Sequence, residues 1–132
     1  MLSTHQIAAI ESDVERAATK HLNARDAQSA LEDFAHEVIA VSNTSVFSSR
    51  ESLAANVHEY YKILKTVTHA SWEDIHIHVI SESAATFTAG FRYGFISKDD
   101  ITTNLRGVWA ALYEIEDEAW KIRIRHETFE QL

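Results

Sequence analysis

Hydrophobic residues in the first half of the chain recur with the spacing of a helix. A first helix is predicted to begin at Ser3, because Ser3 and Gln6 have the spacing of a capping box. Its predicted buried stripe consists of Ile7, Ile10, Val14, Ala17 and His21. Asp26 is placed to cap a second, shorter helix. That helix would carry Ala30, Leu31 and Phe34.

Beyond Lys65 the pattern changes to the alternation typical of β-strands. Four long strands are predicted at residues 69–81, 84–97, 102–116 and 119–129. The polar segments between them are short, which makes these strands antiparallel neighbours. A brief strand is predicted at residues 38–41, and a third helix near Ser48 with Glu51 as its capping partner. This order of helices and strands predicts one α+β domain over residues 1–132, with three N-terminal helices packed on a strongly curved antiparallel sheet.

Alternation sorts the side chains of the long strands into two faces. The face predicted to lie against the helices collects Ile75, Ile77, Val79, Phe87, Ala89, Phe91, Tyr93, Phe95, Leu105, Trp109, Ala111, Tyr113, Ile115, Trp120, Ile122, Ile124 and His126. The convex face is mostly polar, with an apolar patch of Ile80, Ile96, Val108, Ala110 and Leu112. Because such a patch typically marks a partner surface, the sequence predicts a homodimer through the convex sheet face.

Composition narrows the classes of function. The net charge is −8 and no block of lysine and arginine is present, so nucleic acid is not an expected partner. Without cysteine the chain can form neither a disulfide nor a thiolate metal site, which fits a reducing cytoplasm. No apolar run approaches the roughly 20 residues needed to span a bilayer, and no signal peptide is predicted. A cytoplasmic protein without membrane contact is therefore expected.

Three segments resemble those of a known superfamily. They are Asn23–Ala27 with the following Leu31, Phe34 and Val38, then Ser49–Leu53, and finally Trp120–Ile122 with His126–Thr128. In order and spacing they are similar to the nuclear transport factor 2-like superfamily, in particular its SnoaL-like and ketosteroid isomerase-like group. The resemblance implies a cone-shaped α+β barrel, also described as a cystatin-like fold, with a ligand pocket.

The resemblance leaves the activity open, since the superfamily hosts isomerases, dehydratases, cyclases, epoxide hydrolases and non-catalytic binding modules. The proton-transfer residues of the ketosteroid isomerases fall near Ala18, Ser42 and Ala111, none of which can carry a proton as that mechanism requires. The Arg-x-Asp strand motif of the epoxide hydrolases is absent too, because glycine and valine follow Arg106. Both chemistries are therefore disfavoured.

His126 is the candidate catalytic residue, because alternation predicts that it faces inward and histidine titrates near neutrality. The alternative is a histidine at the edge of the core, hydrogen-bonded to the backbone or to a hydroxyl. The predicted ligand-binding residues are Tyr60, Tyr61, Tyr93, Trp109, Tyr113 and Thr128. An aromatic wall with a few hydroxyls suits a small apolar or aromatic molecule. His76 and His78 near Asp74 are better explained as solvated residues than as metal ligands, and no metal or cofactor is expected.

Two hypotheses follow. The leading one is a small-molecule-binding protein, for which isomerase, cyclase or dehydratase activity by proton transfer on an apolar ligand is an option that the sequence leaves open. The alternative is a non-catalytic dimeric binding or interaction module. A pocket bordered by His126 favours the first hypothesis, whereas a cone filled by Trp109 and the tyrosines favours the second.

Overall fold

The computed structural model describes residues 1–132 and contains three helices and six strands. The helices are α1 (Thr4–Leu22), α2 (Ala27–Glu32) and α3 (Arg50–Ile63). The strands are β1 (Phe34–Ser42), β2 (Ser45–Phe47), β3 (Leu64–Ser81), β4 (Ala84–Ser97), β5 (Thr102–Glu116) and β6 (Ala119–Gln131). The predicted α+β class is confirmed. None of the helices is both long and apolar enough to cross a membrane.

The six strands form one curved, open sheet in the order β2-β1-β6-β5-β4-β3. The antiparallel pairing predicted for the four long strands is confirmed, but β1 runs parallel to β6 and makes the sheet mixed. Parallel pairing is available to β1 because most of the chain separates it from β6, so no hairpin constrains the two strands. The short strand β2 was not predicted, and β3 begins directly at the end of α3.

Side-chain caps define where the helices begin. Ser3 Oγ accepts from the amide of Gln6 at 3.1 Å, and Gln6 Oε1 accepts from the amide of Ser3 at 2.8 Å, which confirms the predicted capping box. Asp26 caps α2 as predicted. The cap of α3 is Ser49, one residue later than predicted. Phe34 begins β1 and does not continue α2, since that helix ends at Glu32.

The helices cover the concave face of the sheet and bury its apolar side chains. Helix α1 lies against β3, β4 and β6, and α3 lies against α2 and β1. The largest fully buried side chains are Tyr113, Phe87, Leu53, Ile122 and Val14. Arg50 fixes the start of α3 because its guanidinium donates to the carbonyl oxygens of Leu31, Phe34 and Ala35 at 2.8–3.0 Å.

A β-bulge interrupts β6 and reverses its alternation. Tyr113 of β5 pairs with Ile122, but the preceding Leu112 pairs with Ile124, so β6 has one extra residue at this point. Side chains beyond the bulge therefore change faces. Ile124 is 45% exposed and His126 is exposed, so the prediction that both face inward is wrong.

A second bulge lies in β3 between Glu73 and His76, where Asp74 adopts a positive φ of 50°. It turns Trp72 onto the concave face opposite Phe91. Ile75, within the bulge, is 37% exposed, so the inward orientation predicted for it is wrong as well. Both corrections have the same cause, because period-two alternation holds only while no residue is inserted.

The backbone of Gly107 is closely packed against neighbouring residues on the concave face, and its replacement tests that packing. A Cβ atom at this position would lie 2.3 Å from the carbonyl oxygen of Thr128 and 2.8 Å from Phe91 Cε1. We expect Gly107→Ala to lower the free energy of unfolding by about 1–3 kcal/mol, measured by urea denaturation. The matched control is Gly90→Ala, whose Cβ would meet its nearest neighbour at 3.5 Å. Equal effects of the two substitutions would contradict this account.

Candidate functional site

A cavity of about 490 Å³ lies between the helices and the concave face of the sheet. Of the 20 residues that line it, 14 are hydrophobic. Its aromatic wall includes Phe34, Tyr60, Tyr61, Trp72, Phe91 and Trp109. A cavity of this size with few polar groups is typical of a site for a small, mostly apolar molecule.

The tyrosine hydroxyls of the cavity wall are engaged with protein groups. The hydroxyls of Tyr60 and Tyr93 lie 2.7 Å apart, and that of Tyr61 donates to the carbonyl oxygen of Ala24 at 3.2 Å. Burial raises the pKa of all three phenols, that of Tyr61 to about 12. These residues therefore stay protonated near neutral pH and cannot act as bases.

A histidine–aspartate pair lies where α1 meets the turn between α2 and β1. His21 occupies the last turn of α1, and its Nδ1 lies 2.9 Å from Oδ2 of Asp33. The other carboxylate oxygen of Asp33 accepts from Nζ of Lys20 at 2.8 Å. Asp33 is 7% exposed and the side chain of His21 is 14% exposed, so both groups are largely removed from water, whereas the side chain of Lys20 is 63% exposed. Burial would raise the pKa of Asp33, but the hydrogen bonds from His21 and Lys20 outweigh it and lower the pKa.

The imidazole of His21 is oriented with one nitrogen free. An ionised Asp33 can only accept, so Nδ1 of His21 carries a proton, and in the neutral imidazole Nε2 then has an available lone pair. No hydrogen bond engages Nε2, and His21 lines the cavity. Phe34 holds the ring edge-to-face with centroids 5.1 Å apart, and the centroid of Trp109 lies 6.0 Å away. An imidazole held in this way can accept a proton from a bound molecule.

A second polar group enters the cavity from β6. Arg125 is 7% exposed, and its Nη1 lies 3.4 Å from Oε1 of Glu127. The other oxygen of Glu127 accepts from the hydroxyl of Ser42 at 2.9 Å. Burial lowers the pKa of Arg125, an effect that Glu127 partly opposes, yet a guanidinium stays charged in a protein. Nε of Arg125 and Nε1 of the lining residue Trp72 are buried without a hydrogen-bond partner.

The structure brings four of the predicted ligand-binding residues together and separates two from them. Side chains that line the cavity are Tyr60, Tyr61, Tyr93 and Trp109. Tyr113 is 1% exposed and packs in the core behind the cavity wall. Thr128 and the candidate catalytic residue His126 are exposed on the convex side, because the β6 bulge reverses their orientation. The inward placement predicted for both is therefore wrong.

Several polar residues at the site were not singled out from the sequence, among them His21, Asp33, Arg125, Glu127 and Ser42. One signal pointed to the first of them, since His21 is the only ionisable member of the predicted stripe of α1. No comparable signal marked Asp33. Uninterrupted alternation along β6 predicts that Arg125 and Glu127 lie on the convex face, and the bulge that turns them into the cavity has no signature in the sequence.

One group of side chains has ligand types suitable for a metal ion. It consists of His36, Glu116 and Asp117, whose ligand atoms all lie within 4.8 Å of one another. His36 and Asp117 are exposed, with side chains 76% and 78% accessible. Surface ion pairing explains this group. In the bulge of β3, His76 Nε2 similarly contacts Asp74 Oδ1 at 2.9 Å on the exposed surface.

Comparison with known proteins supports the fold. Neither family models nor curated proteins give a match to the sequence. A candidate scytalone dehydratase from Novosphingobium aromaticivorans superposes with a TM-score of 0.88 at 13% identity, covering 97% of this chain and 89% of that one. A nuclear transport factor 2-like superfamily protein from Salmonella enterica superposes with a TM-score of 0.80 at 15% identity, covering 92% of this chain and 91% of that one.

A hexachlorocyclohexane dehydrochlorinase, LinA type 2, gives a TM-score of 0.76 at 11% identity, covering 98% of this chain and 93% of that one. The fold implied by the resemblance, that of the nuclear transport factor 2-like superfamily, is thereby confirmed. Identities this low establish the fold alone.

Asp33 makes the stability of the protein depend on pH. Because its pKa is lower in the folded than in the unfolded chain, its stabilising contribution is present above the unfolded pKa and is lost as the pH falls through the folded pKa. We expect Asp33→Asn to lower the free energy of unfolding by about 1–3 kcal/mol at pH 7, with a difference from wild type that shrinks as the pH falls below about 4. Urea denaturation at several pH values measures this.

Asp13→Asn is the matched control, since Asp13 forms an exposed pair with Arg16 on the surface of α1. We expect that substitution to change the free energy of unfolding by less than about 0.5 kcal/mol. A difference between wild type and Asp33→Asn that stays constant from pH 7 to pH 3 would refute the assigned role of the Asp33 charge.

Proposed function

We propose that the chain binds a small, flat and mostly apolar molecule in the cavity and removes a proton from one of its carbon atoms, with His21 as the general base. This proton-transfer step is shared by isomerases, cyclases and dehydratases. The supporting observation is the 2.9 Å contact between Asp33 Oδ2 and Nδ1 of His21, on a histidine that lines the cavity. His126, on the convex side, has no part in the proposal.

In the proposed reaction the proton moves from a carbon of the ligand to Nε2 of His21, and the electron pair of the broken C–H bond stays on the ligand. Asp33 stabilises the imidazolium that forms and keeps its ring in place. Return of the proton to a different carbon completes an isomerisation. Alternatively, the electron pair forms a double bond while a leaving group departs with its own bonding pair, which completes an elimination.

The surroundings of His21 suit this step. Phe34 and Trp109 flank its ring and the His21 side chain is only 14% exposed, which limits the competition of water for Nε2. The names of two structural neighbours, a dehydratase and a dehydrochlorinase, describe eliminations. At 13% and 11% identity they support the proposal by analogy of fold only.

The second candidate function is a dimeric binding module, and we propose a homodimer through the convex sheet face with either function. Val108, Ile80 and Ile124 are 57%, 56% and 45% exposed on this face. The β6 bulge adds Ile124 to the predicted patch, because Ile124 pairs with Leu112. Exposed apolar side chains on one face of a sheet favour association with a second copy.

The role of His21 can be tested with 1-tetralone, a flat bicyclic ketone that serves as a probe. Exchange of deuterium from D₂O into the carbon next to its carbonyl reports proton abstraction and is followed by NMR. We expect His21→Gln to slow the protein-catalysed exchange at least about 100-fold, because glutamine retains a donor for Asp33 but offers no base. Circular dichroism verifies that the variant is folded.

His126→Gln is the matched control, and we expect it to leave the exchange rate unchanged within about twofold, since a surface substitution has little effect on the cavity. If wild-type protein fails to accelerate exchange, the proposed activity is wrong. If His126→Gln reduces the rate as much as His21→Gln does, the assignment of the base is wrong.

The proposed dimer is tested by sedimentation of wild-type protein and of Val108→Glu. We expect wild type to sediment at about twice the 15.0 kDa of one chain and the variant as a monomer, because a carboxylate buried in an apolar interface lacks a partner. Ile63→Glu is the control, since Ile63 is 51% exposed in helix α3 and belongs to none of the strands that form the sheet face. A wild-type monomer at micromolar concentration would refute the proposal.

A further inference from the structure

Arg125 is a buried cation whose hydrogen-bonding capacity is unused. The residue is 7% exposed, yet its guanidinium makes no hydrogen bond, and Nε is fully buried without a partner. Its one ion-pair partner is Glu127, with Oε1 3.4 Å from Nη1. That distance exceeds the roughly 2.7–2.9 Å of a charge-assisted hydrogen bond, so Glu127 balances the charge of Arg125 without satisfying its donors.

Arg125 and the candidate base His21 both line the cavity and approach the same aromatic ring. A guanidinium has five N–H donors, and buried donors in native proteins are nearly always paired. Arg125 lines the cavity with its Cζ atom 5.9 Å from the centroid of the Phe34 ring. The ring of His21 contacts the same Phe34 ring at 5.1 Å. Both groups therefore lie within 5.9 Å of the centre of one cavity-lining ring, close enough for a single ligand to reach both.

The charges that line the cavity favour a neutral oxygen acceptor as the missing partner. Arg125 and Glu127 are the only lining residues with permanently charged side chains, and their charges cancel. A carboxylate ligand would bring a charge with no cation left to balance it, into a chain of net charge −8. A carbonyl oxygen accepts from the free donors and adds no charge.

We propose that Arg125 donates hydrogen bonds to the carbonyl oxygen of a neutral ligand, which identifies the substrate class as flat, apolar ketones and related carbonyl compounds. This inference rests on the proposed function. When His21 takes a proton from the carbon next to the carbonyl, the electron pair of the C–H bond is delocalised onto the oxygen and an enolate forms. Arg125 stabilises that negative oxygen more strongly than the neutral carbonyl.

Three probes with the same bicyclic skeleton test the inference: the ketone 1-tetralone, the hydrocarbon tetralin and the anion 1,2,3,4-tetrahydronaphthalene-1-carboxylate. Their dissociation constants are measured by NMR titration with wild type, Arg125→Met and Arg123→Met. We expect Arg125→Met to weaken binding of the ketone about tenfold or more and to change binding of tetralin by less than about twofold. Arg123, the extra residue of the β6 bulge, is half-exposed and paired with Glu37, and it does not line the cavity. It is the matched control, and its substitution should change neither value.

The hydrocarbon reports whether the cavity survives the substitution. Retained tetralin binding with weakened ketone binding supports the inference. Unchanged ketone binding by Arg125→Met, equal losses for ketone and hydrocarbon, or no binding of 1-tetralone by wild type overturns it. Tighter binding of the carboxylate than of the ketone by wild type also overturns it, because the partner of Arg125 is then an anion.

Deuterium exchange separates this inference from the proposed function. Binding of 1-tetralone that depends on Arg125, without acceleration of its exchange, refutes proton transfer by His21 and leaves the carbonyl subsite standing. Exchange that depends on His21, with ketone binding unaffected in Arg125→Met, retains the base and eliminates the subsite.

Discussion

The extra residue in β6 between Ile122 and Ile124 sets which side chains of the last strand reach the cavity. With uninterrupted alternation, Ile124 and His126 would have entered it, and the cavity would have held a second histidine but no permanently charged side chain. With the bulge, Arg125 and Glu127 enter and the isoleucine moves to the convex face. One inserted residue thus supplies the cavity with its only charged side chains and the convex face with part of its apolar patch.

Asp33 contributes both to folding and to the candidate site. Its side chain joins Lys20 and His21 of α1 to the beginning of β1, and its carbonyl oxygen accepts from the amide of Ile122 in β6 at 2.8 Å. Three parts of the fold therefore meet at one buried residue. A carboxylate in this position is stable only because it is paired and hydrogen-bonded, and the same contacts orient the imidazole toward the cavity.

The features predicted correctly are those with local or periodic causes. The caps at Ser3 and Asp26, the hairpins and the inward orientation of Phe87 and Trp109 follow from residue type and alternation. The bulges depend on how β3 and β6 fit their neighbours over the curved sheet, and no local residue type encodes them. The polar groups of the cavity were missed because of one bulge, and because His21 and Asp33 come together only in the tertiary structure.

The hydrogen bonds already formed inside the cavity determine how a ligand would lie in it. Tyr60 and Tyr93 bind each other, and Tyr61 binds the backbone, so this side of the cavity presents aromatic surface with few free polar groups. Arg125 and His21, in contrast, border Phe34 with unused hydrogen-bonding atoms. The binding free energy is most favourable when the polar end of a ligand faces these two residues and its apolar end faces the tyrosines. The polar end then has hydrogen-bond partners, and the apolar end is removed from water. One half of the cavity thus has its hydrogen-bonding atoms already paired, and the other half has unpaired ones. This difference would select one orientation for a flat molecule with a single polar group.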